Sequence, residues 1–244
     1  MKINNLTVKK GGKDILKNLT GEFAKGQIHI IMGPNGSGKS TLSYSIAGHP
    51  DCEVISGTVD YQEQDILQKD VHERGIAGIY LAPQYPPAIP GLSHAALLKE
   101  SINVRRQANG DEPMDEFELL KLLRSKAQEY QFDSKTYPRQ SFNEGFSGGE
   151  KKRNEILQIS LLNPDFIILD EIDSGLDIEA MKRIASFIKN YLDEHKTIVV
   201  ITHYPQFAEL IEANQVHILK NGQIVHTGDK SLVSEISEHG FGRF

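Results

Sequence analysis

A run of nine residues constrains this chain more than any other: Gly33, Pro34, Asn35, Gly36, Ser37, Gly38, Lys39, Ser40 and Thr41. It follows the apolar stretch Gln27–Met32, and from Lys39 helix-compatible sequence continues to about Ala47. The pattern G-x-x-x-x-G-K-[ST] between a strand and a helix predicts a phosphate cradle. The glycines let the backbone curl until successive N–H groups face inward, and the helix N-terminus adds its partial positive charge. Lys39 then reaches the terminal phosphates, and the Ser40 hydroxyl faces a Mg²⁺ ion. The plainer alternative is an ordinary glycine turn before a helix. Three glycines, the Lys-Ser pair and these flanks weigh against it, so a nucleoside triphosphate is the expected ligand.

Such a cradle belongs to an α/β fold, and the rest of the 244 residues reads that way. Ile3–Val8 alternates as a strand, Lys10–Asp14 reads as a turn, and Val54–Tyr61 and Gly78–Ala82 give further strand signals. The texture changes after Gln84. Tyr85–Pro90 holds three prolines, and Ser93–Tyr130 carries helical apolar spacing at Phe117, Leu119, Leu120, Leu122 and Leu123. Strand–helix alternation resumes after Ser147: a helix through Leu162, a strand Phe166–Leu169, a helix Ile178–Leu192 and a strand Thr197–Thr202. These apolar runs bounded by helices are the mark of a parallel sheet. Asn221-Gly222 between Val216–Lys220 and Gln223–Thr227 predicts a hairpin. The reading is α/β with an inserted helical subdomain.

Several function classes fall away on composition. With 27 basic against 33 acidic residues the net charge is −6, so there is no basic excess to coat nucleic acid, and none is expected as a partner. Cys52 is alone, which excludes an internal disulfide and any iron–sulfur cluster held by several thiolates of this chain. The apolar runs Ile28–Met32, Phe166–Leu169 and Ile198–Ile201 fall far short of the ~20 residues of a membrane helix, so no membrane insertion is expected. The first residues lack the apolar core of a signal peptide, and a cytoplasmic setting is the expectation.

Two further segments carry chemistry. Phe166–Leu169 runs into Asp170 and Glu171, and strand ends beside a phosphate loop are where an α/β fold places its ligand. Asp170 suits a Mg²⁺-holding role and Glu171 suits activation of a water; a solvated turn is the alternative for such a pair. Ser147, Gly148 and Gly149 at the start of a helix offer a second surface of N–H groups and hydroxyl to phosphate, or else a plain helix cap.

With Phe146 and Glu150, that segment resembles the LSGGQ signature of the ABC-type ATPases, here FSGGE with the serine and both glycines kept. Gln84 resembles their Q-loop glutamine, Ser174-Gly175-Leu176-Asp177 their D-loop, and His203 their switch histidine. The family's aromatic for stacking adenine has no counterpart in Lys9–Leu16. The resemblance implies a P-loop NTPase (RecA-like) core of residues 1–84 and 150–244. It also implies an N-terminal antiparallel β region and an α-helical subdomain, 85–149, ending in the signature. It implies ATP and Mg²⁺ as ligands, with Ser40, Gln84 and Asp170 on the metal and Glu171, His203, Lys39 and Gln84 as catalytic residues. Two chains would pair head to tail, the Ser147, Gly148 and Gly149 of one capping the ATP of the other, with Ser174 and Asp177 in the D-loop.

Closer still is the resemblance to the SufC family of the SUF iron–sulfur assembly system. It rests on Gly145–Asn154 (GFSGGEKKRN), on Gln84-Tyr85-Pro86 with Ile89-Pro90-Gly91, on Leu169–Asp177, on Thr202-His203-Tyr204 and on Gly240–Gly242. It implies scaffold partners of the SufB/SufD type, docking on Tyr85, Pro86 and Pro87. A rigid proline turn is the other reading of those three residues, and a solvated helix face the other reading of Lys151-Lys152-Arg153. The motor subunit of a membrane ABC transporter is the alternative function.

Overall fold

The computed structural model describes residues 1–244, which form two compact units: Met1–Gln84 with Asp165–Phe244, and Tyr85–Pro164. The first unit begins with β1 (Lys2–Lys10), β2 (Lys13–Glu22), β3 (Gln27–Met32), α1 (Lys39–Ala47), β4 (Cys52–Tyr61), β5 (Gln64–Asp65), α2 (Val71–Ile76) and β6 (Ile79–Ala82). The second unit holds β7 (Ile89–Ser93), α3 (His94–Ala108), α4 (Glu116–Glu129), β8 (Ser141–Phe142) and α5 (Gly148–Leu162). The chain then returns to the first unit through β9 (Phe166–Asp170), α6 (Ile178–Tyr191), β10 (Thr197–Ile201), α7 (Pro205–Leu210), β11 (Gln215–Lys220), β12 (Gln223–Gly228) and α8 (Ser231–His239).

The first unit is built on two sheets. β11, β3, β10, β9 and β6 lie parallel, with β12 added antiparallel at the edge, in the order β12-β11-β3-β10-β9-β6. β9 and β10 are buried at every residue, which explains their unbroken apolar sequences. The second sheet is antiparallel, β2-β1-β4-β5, and its alternation follows from one packed face: Ile3, Leu6 and Val8 are buried, and Leu6 pairs with Leu19 and Val8 with Leu16. Those residues share a core with Ile31, Phe166, Ile168 and Val199 of the parallel layer and Leu42 of α1. The α/β core, the N-terminal antiparallel region and the helical insertion all correspond to the expected fold class. No helix is long and apolar enough to cross a membrane.

The insertion closes further along the chain than expected. The boundary read from the sequence at residue 149 moves to Pro164, so α5 belongs to the inserted unit rather than to the catalytic core. The reason is packing. Leu157 joins Ala127 and Tyr137 in one cluster, while Leu161 and Leu162 cover Leu98, Ile102, Leu119 and Leu123 of α3 and α4. A buried polar chain adds direction: the Tyr137 hydroxyl donates to Asn154 Oδ1 (2.6 Å), Asn154 Nδ2 to Asn143 Oδ1 (2.8 Å), and Asn143 Nδ2 to the Pro87 carbonyl (2.9 Å). The proline run beyond Gln84 is thereby tied to the helix that begins at the signature. Within that run Tyr85 is 79% exposed, Pro87 is exposed and Pro86 is buried, so Pro86 packs the turn while its neighbours face outward.

Three histidines are held neutral in these interiors. His29 and His217 stack with Nδ1 and Nε2 3.0 Å apart, and His94 stacks on Tyr137 with centroids 4.2 Å apart. Burial pushes each from 6.5 down to about 4. Above pH 6.5 neither the folded nor the unfolded chain protonates them. As pH falls towards 4 the unfolded chain takes up protons that the fold refuses, and stability is lost, by at most roughly 3 kcal/mol per histidine. Melting temperature is expected to be flat above pH 7 and to fall steeply between pH 6.5 and 4.5. A flat profile through that window would show that these rings are protonated in the fold.

Candidate nucleotide site

β3 delivers the chain to Gly33, where the backbone passes so close to β11 that a Cβ would lie 2.0 Å from the Leu219 carbonyl oxygen. Gly38 closes the loop at φ 110°, a left-handed conformation open to glycine, and caps α1. Between them Ser37 N–H donates to the Pro34 carbonyl (3.2 Å), and the Ser37 carbonyl accepts from Gly222 N–H (2.9 Å). Lys39 is almost wholly buried, and its ammonium donates to the Gly33 and Pro34 carbonyls at 2.9 and 3.1 Å. Burial lowers its pKa, while the carboxylates of Glu171 and Asp170 act in the opposite sense.

A cleft of about 590 Å³ opens over this loop, with Asn35, Gly36, Gly38, Lys39, Ser40 and Thr41 on its floor. Gln84, Glu171, Ser174 and His203 form its far side. Asp170 lies behind, fully buried at the end of β9, its Oδ1 accepting from Ser40 Oγ (3.3 Å) and its Oδ2 from Ser43 Oγ (2.9 Å). Burial raises the Asp170 pKa, opposed by those two hydroxyl bonds. Ser43 was missed in the sequence, although its place one helical turn beyond Ser40 was the available signal. Ser40 hydroxyl, Asp170 carboxylate and the Gln84 side-chain carbonyl are hard oxygen donors, so the residues fit a Mg²⁺ ion completed by phosphate oxygens and water.

Glu171 follows directly and is held in strain. Its φ is 48°, a conformation that costs a residue with a Cβ roughly 1–2 kcal/mol. Its N–H donates to the Ile201 carbonyl (2.9 Å) and its own carbonyl accepts from Ser174 N–H (3.1 Å). The carboxylate is gripped from both sides, by Gln84 Nε2 at Oε2 and by His203 Nδ1, 3.1 Å from Oε1. A His203 that donates from Nδ1 to Glu171 presents Nε2 as an acceptor when neutral. A bond from that ring to a phosphate oxygen therefore requires the protonated ring or release of Glu171.

Lys10 and Ile15 line the remaining wall, and neither carries a local sequence signal for that place. Both come from the ends of β1 and β2, brought close because Gly38 lies against Leu16 (2.8 Å from a Cβ position to Cδ2). Lys10 Nζ lies 4.6 Å from the centre of the Tyr44 ring, which stacks on His49. An aliphatic side chain and a cation thus take the place where an aromatic was missing from Lys9–Leu16.

The other two expected groups lie elsewhere in the chain. Asp177 caps α6, accepting from Ala180 N–H (2.7 Å). Ser147 caps α5 in a reciprocal box: Glu150 N–H reaches Ser147 Oγ (3.3 Å), and Glu150 Oε2 accepts from Ser147 N–H (2.8 Å) and Ser147 Oγ (2.7 Å). Those bonds hold the Glu150 carboxyl below the usual range. Phe146, just before, stacks on Phe132 with centroids 5.1 Å apart. No atom comes within 4 Å of where a Gly148 Cβ would be, so nothing else in this chain demands a glycine there.

Comparison with known proteins supplies the chain's relatives. Residues 16–174 match the family model described as ABC transporter. The chain is 42% identical to SufC of Escherichia coli, described as a probable ATP-dependent transporter, covering 99% of this chain and 97% of that one. It is 39% identical to the iron–sulfur cluster assembly protein SufC of Plasmodium falciparum, over 96% of this chain and 67% of the relative. Among solved structures, a dimeric bacterial ABC transporter cassette superposes with a TM-score of 0.79 at 23% identity, covering 94% of this chain and 98% of that one. A dimeric cassette in a post-hydrolysis state with ADP and phosphate gives 0.77 at 24% identity, with the same coverage.

Proposed function

The chain belongs to the ABC transporter family, in its SufC branch, and is an ATP-hydrolysing enzyme; from that premise we propose that it powers a SufB/SufD-type scaffold in iron–sulfur cluster assembly. The observation that carries the mechanism is the grip of Gln84 and His203 on Glu171 at the edge of the phosphate cleft. Glu171 takes the proton of the attacking water, a role worth typically 10²–10⁴-fold. His203, set against Glu171, orients the terminal phosphate. Lys39 leaves the carbonyls of Gly33 and Pro34 for the β- and γ-phosphates, and the loop N–H groups hold the charge that develops. Ser40, Asp170 and Gln84 would hold a Mg²⁺ ion, which when bound would neutralise phosphate charge.

Two chains pair head to tail with ATP between them. Ser147, Gly148 and Gly149 of one chain cap the γ-phosphate held by the other, and Ser174 and Asp177 face the pair's axis. Such pairing is two-fold and self-complementary. The open space over Gly148 supports this reading. Tyr85 and Pro87, exposed beside the Asn143–Pro87 bond, are the side chains offered to the scaffold. The chain's single thiol, half-buried with its pKa raised by burial, leaves cluster ligation to the partners.

Purification of the tagged chain from its own host without detergent tests the assignment. Recovery of a complex with SufB/SufD-type proteins, and phosphate release from ATP that stops with EDTA and returns with Mg²⁺, is the expected result. Recovery only with a detergent-extracted permease would replace the scaffold with a transporter. EDTA-resistant turnover would remove the metal from the mechanism.

A further inference from the structure

The strained backbone at Glu171 is held directly by Ile201 and Ser174, and beside that turn a buried side-chain pair adds a further tie. Asp173 and Thr202 are both buried, at 2% and 0% exposure, two residues after Glu171 and one before His203. Thr202 Oγ1 donates to Asp173 Oδ2 at 2.7 Å and accepts from Tyr204 N–H at 3.0 Å. Thr202 N–H donates to the Ile31 carbonyl (3.2 Å), on the strand that feeds the phosphate loop. Thr202 therefore fastens together, through its hydroxyl, the turns that carry Glu171 and His203 and, through its backbone N–H, the strand leading to Gly33.

We propose that Thr202 and Asp173 are positioning residues for ATP hydrolysis: their hydrogen bond fixes Glu171 in its left-handed conformation and sets its carboxylate against His203. The proposal rests on the reading of Glu171 as the general base. Neither residue lines the cleft, so both act through Glu171 and His203 rather than on the nucleotide. Without the bond the 171–174 turn relaxes towards negative φ, and the carboxylate swings off its line to the water. Displacements near 1 Å at a reacting group can lower rates about 10²-fold. Nucleotide affinity is set by the phosphate loop and stays.

The test compares T202V, T202S and E171Q with the parent chain, together with the double variant E171Q/T202V. Steady-state turnover, KM for Mg·ATP, nucleotide affinity and melting temperature are measured for each, with single-turnover hydrolysis for the slow ones. T202V is expected to lower kcat about 10- to 100-fold with KM and affinity within about threefold, and T202S, which keeps the hydroxyl, to restore most of the rate. In the E171Q background T202V should add nothing further, because its effect runs through the missing base. Additive losses, a matching fall in affinity, or normal turnover of T202V would overturn the positioning role. Normal turnover of E171Q would instead remove the base itself, so the two failures are told apart. If T202V does not fold, D173A, which leaves Thr202 its bond from Tyr204, takes its place with the same expected split.

Discussion

Glu171→Gln leaves ATP binding within about threefold and lowers turnover by 10²–10⁴-fold, a barrier increase of roughly 3–5 kcal/mol. The amide keeps nearly the volume of the carboxylate and can still bond Gln84 and His203 after rotation, so the cleft survives while proton acceptance is lost. A chain that binds ATP and cannot cleave it accumulates in the nucleotide-bound pair. Size-exclusion chromatography with Mg·ATP should show a dimer that the parent chain forms only in passing. Unchanged turnover would mean that water is activated by another group.

Lys39→Ala produces the opposite pattern, because here it is binding that fails. Each charge-assisted hydrogen bond from the ammonium contributes about 1.5–3 kcal/mol, so losing one or two lowers ATP affinity by 10- to 1000-fold or more. The fold should tolerate the change. The ammonium is buried against the Gly33 and Pro34 carbonyls, and its removal takes out a charge that burial already disfavours. Equilibrium binding of a fluorescent ATP analogue, with melting as the control, checks both halves. Tight binding by this variant would show that the loop N–H groups alone hold the phosphates.

The phosphate loop was legible because everything it needs is local: three glycines, a lysine and a hydroxyl in nine residues between a strand and a helix. Asp170 and Glu171 were legible for a related reason, since an apolar strand ending in acids announces the carboxyl end of a buried strand. What escaped depended on contacts across the chain. Ser43 acquires its role only because β9 brings Asp170 to α1, a distance of 127 residues in sequence. Lys10 and Ile15 reach the cleft only because the β1–β2 ladder packs on Gly38. The signature motif marks where α5 starts and carries no information about which unit α5 joins, and so the boundary was placed 15 residues early. The positive φ of Glu171 had no sequence cue at all, since glutamate gives no hint of a left-handed backbone.

The reciprocal cap at the start of α5 gives the proposed pairing a built-in discretion. A serine whose hydroxyl and amide already answer to Glu150 has no idle donor to offer a passing chain. In the proposed pairing a triphosphate terminus, more heavily charged than a carboxylate, would draw those donors away from Glu150. Under that pairing empty chains would meet with the serine already engaged, and a chain carrying nucleotide would bring the stronger acceptor.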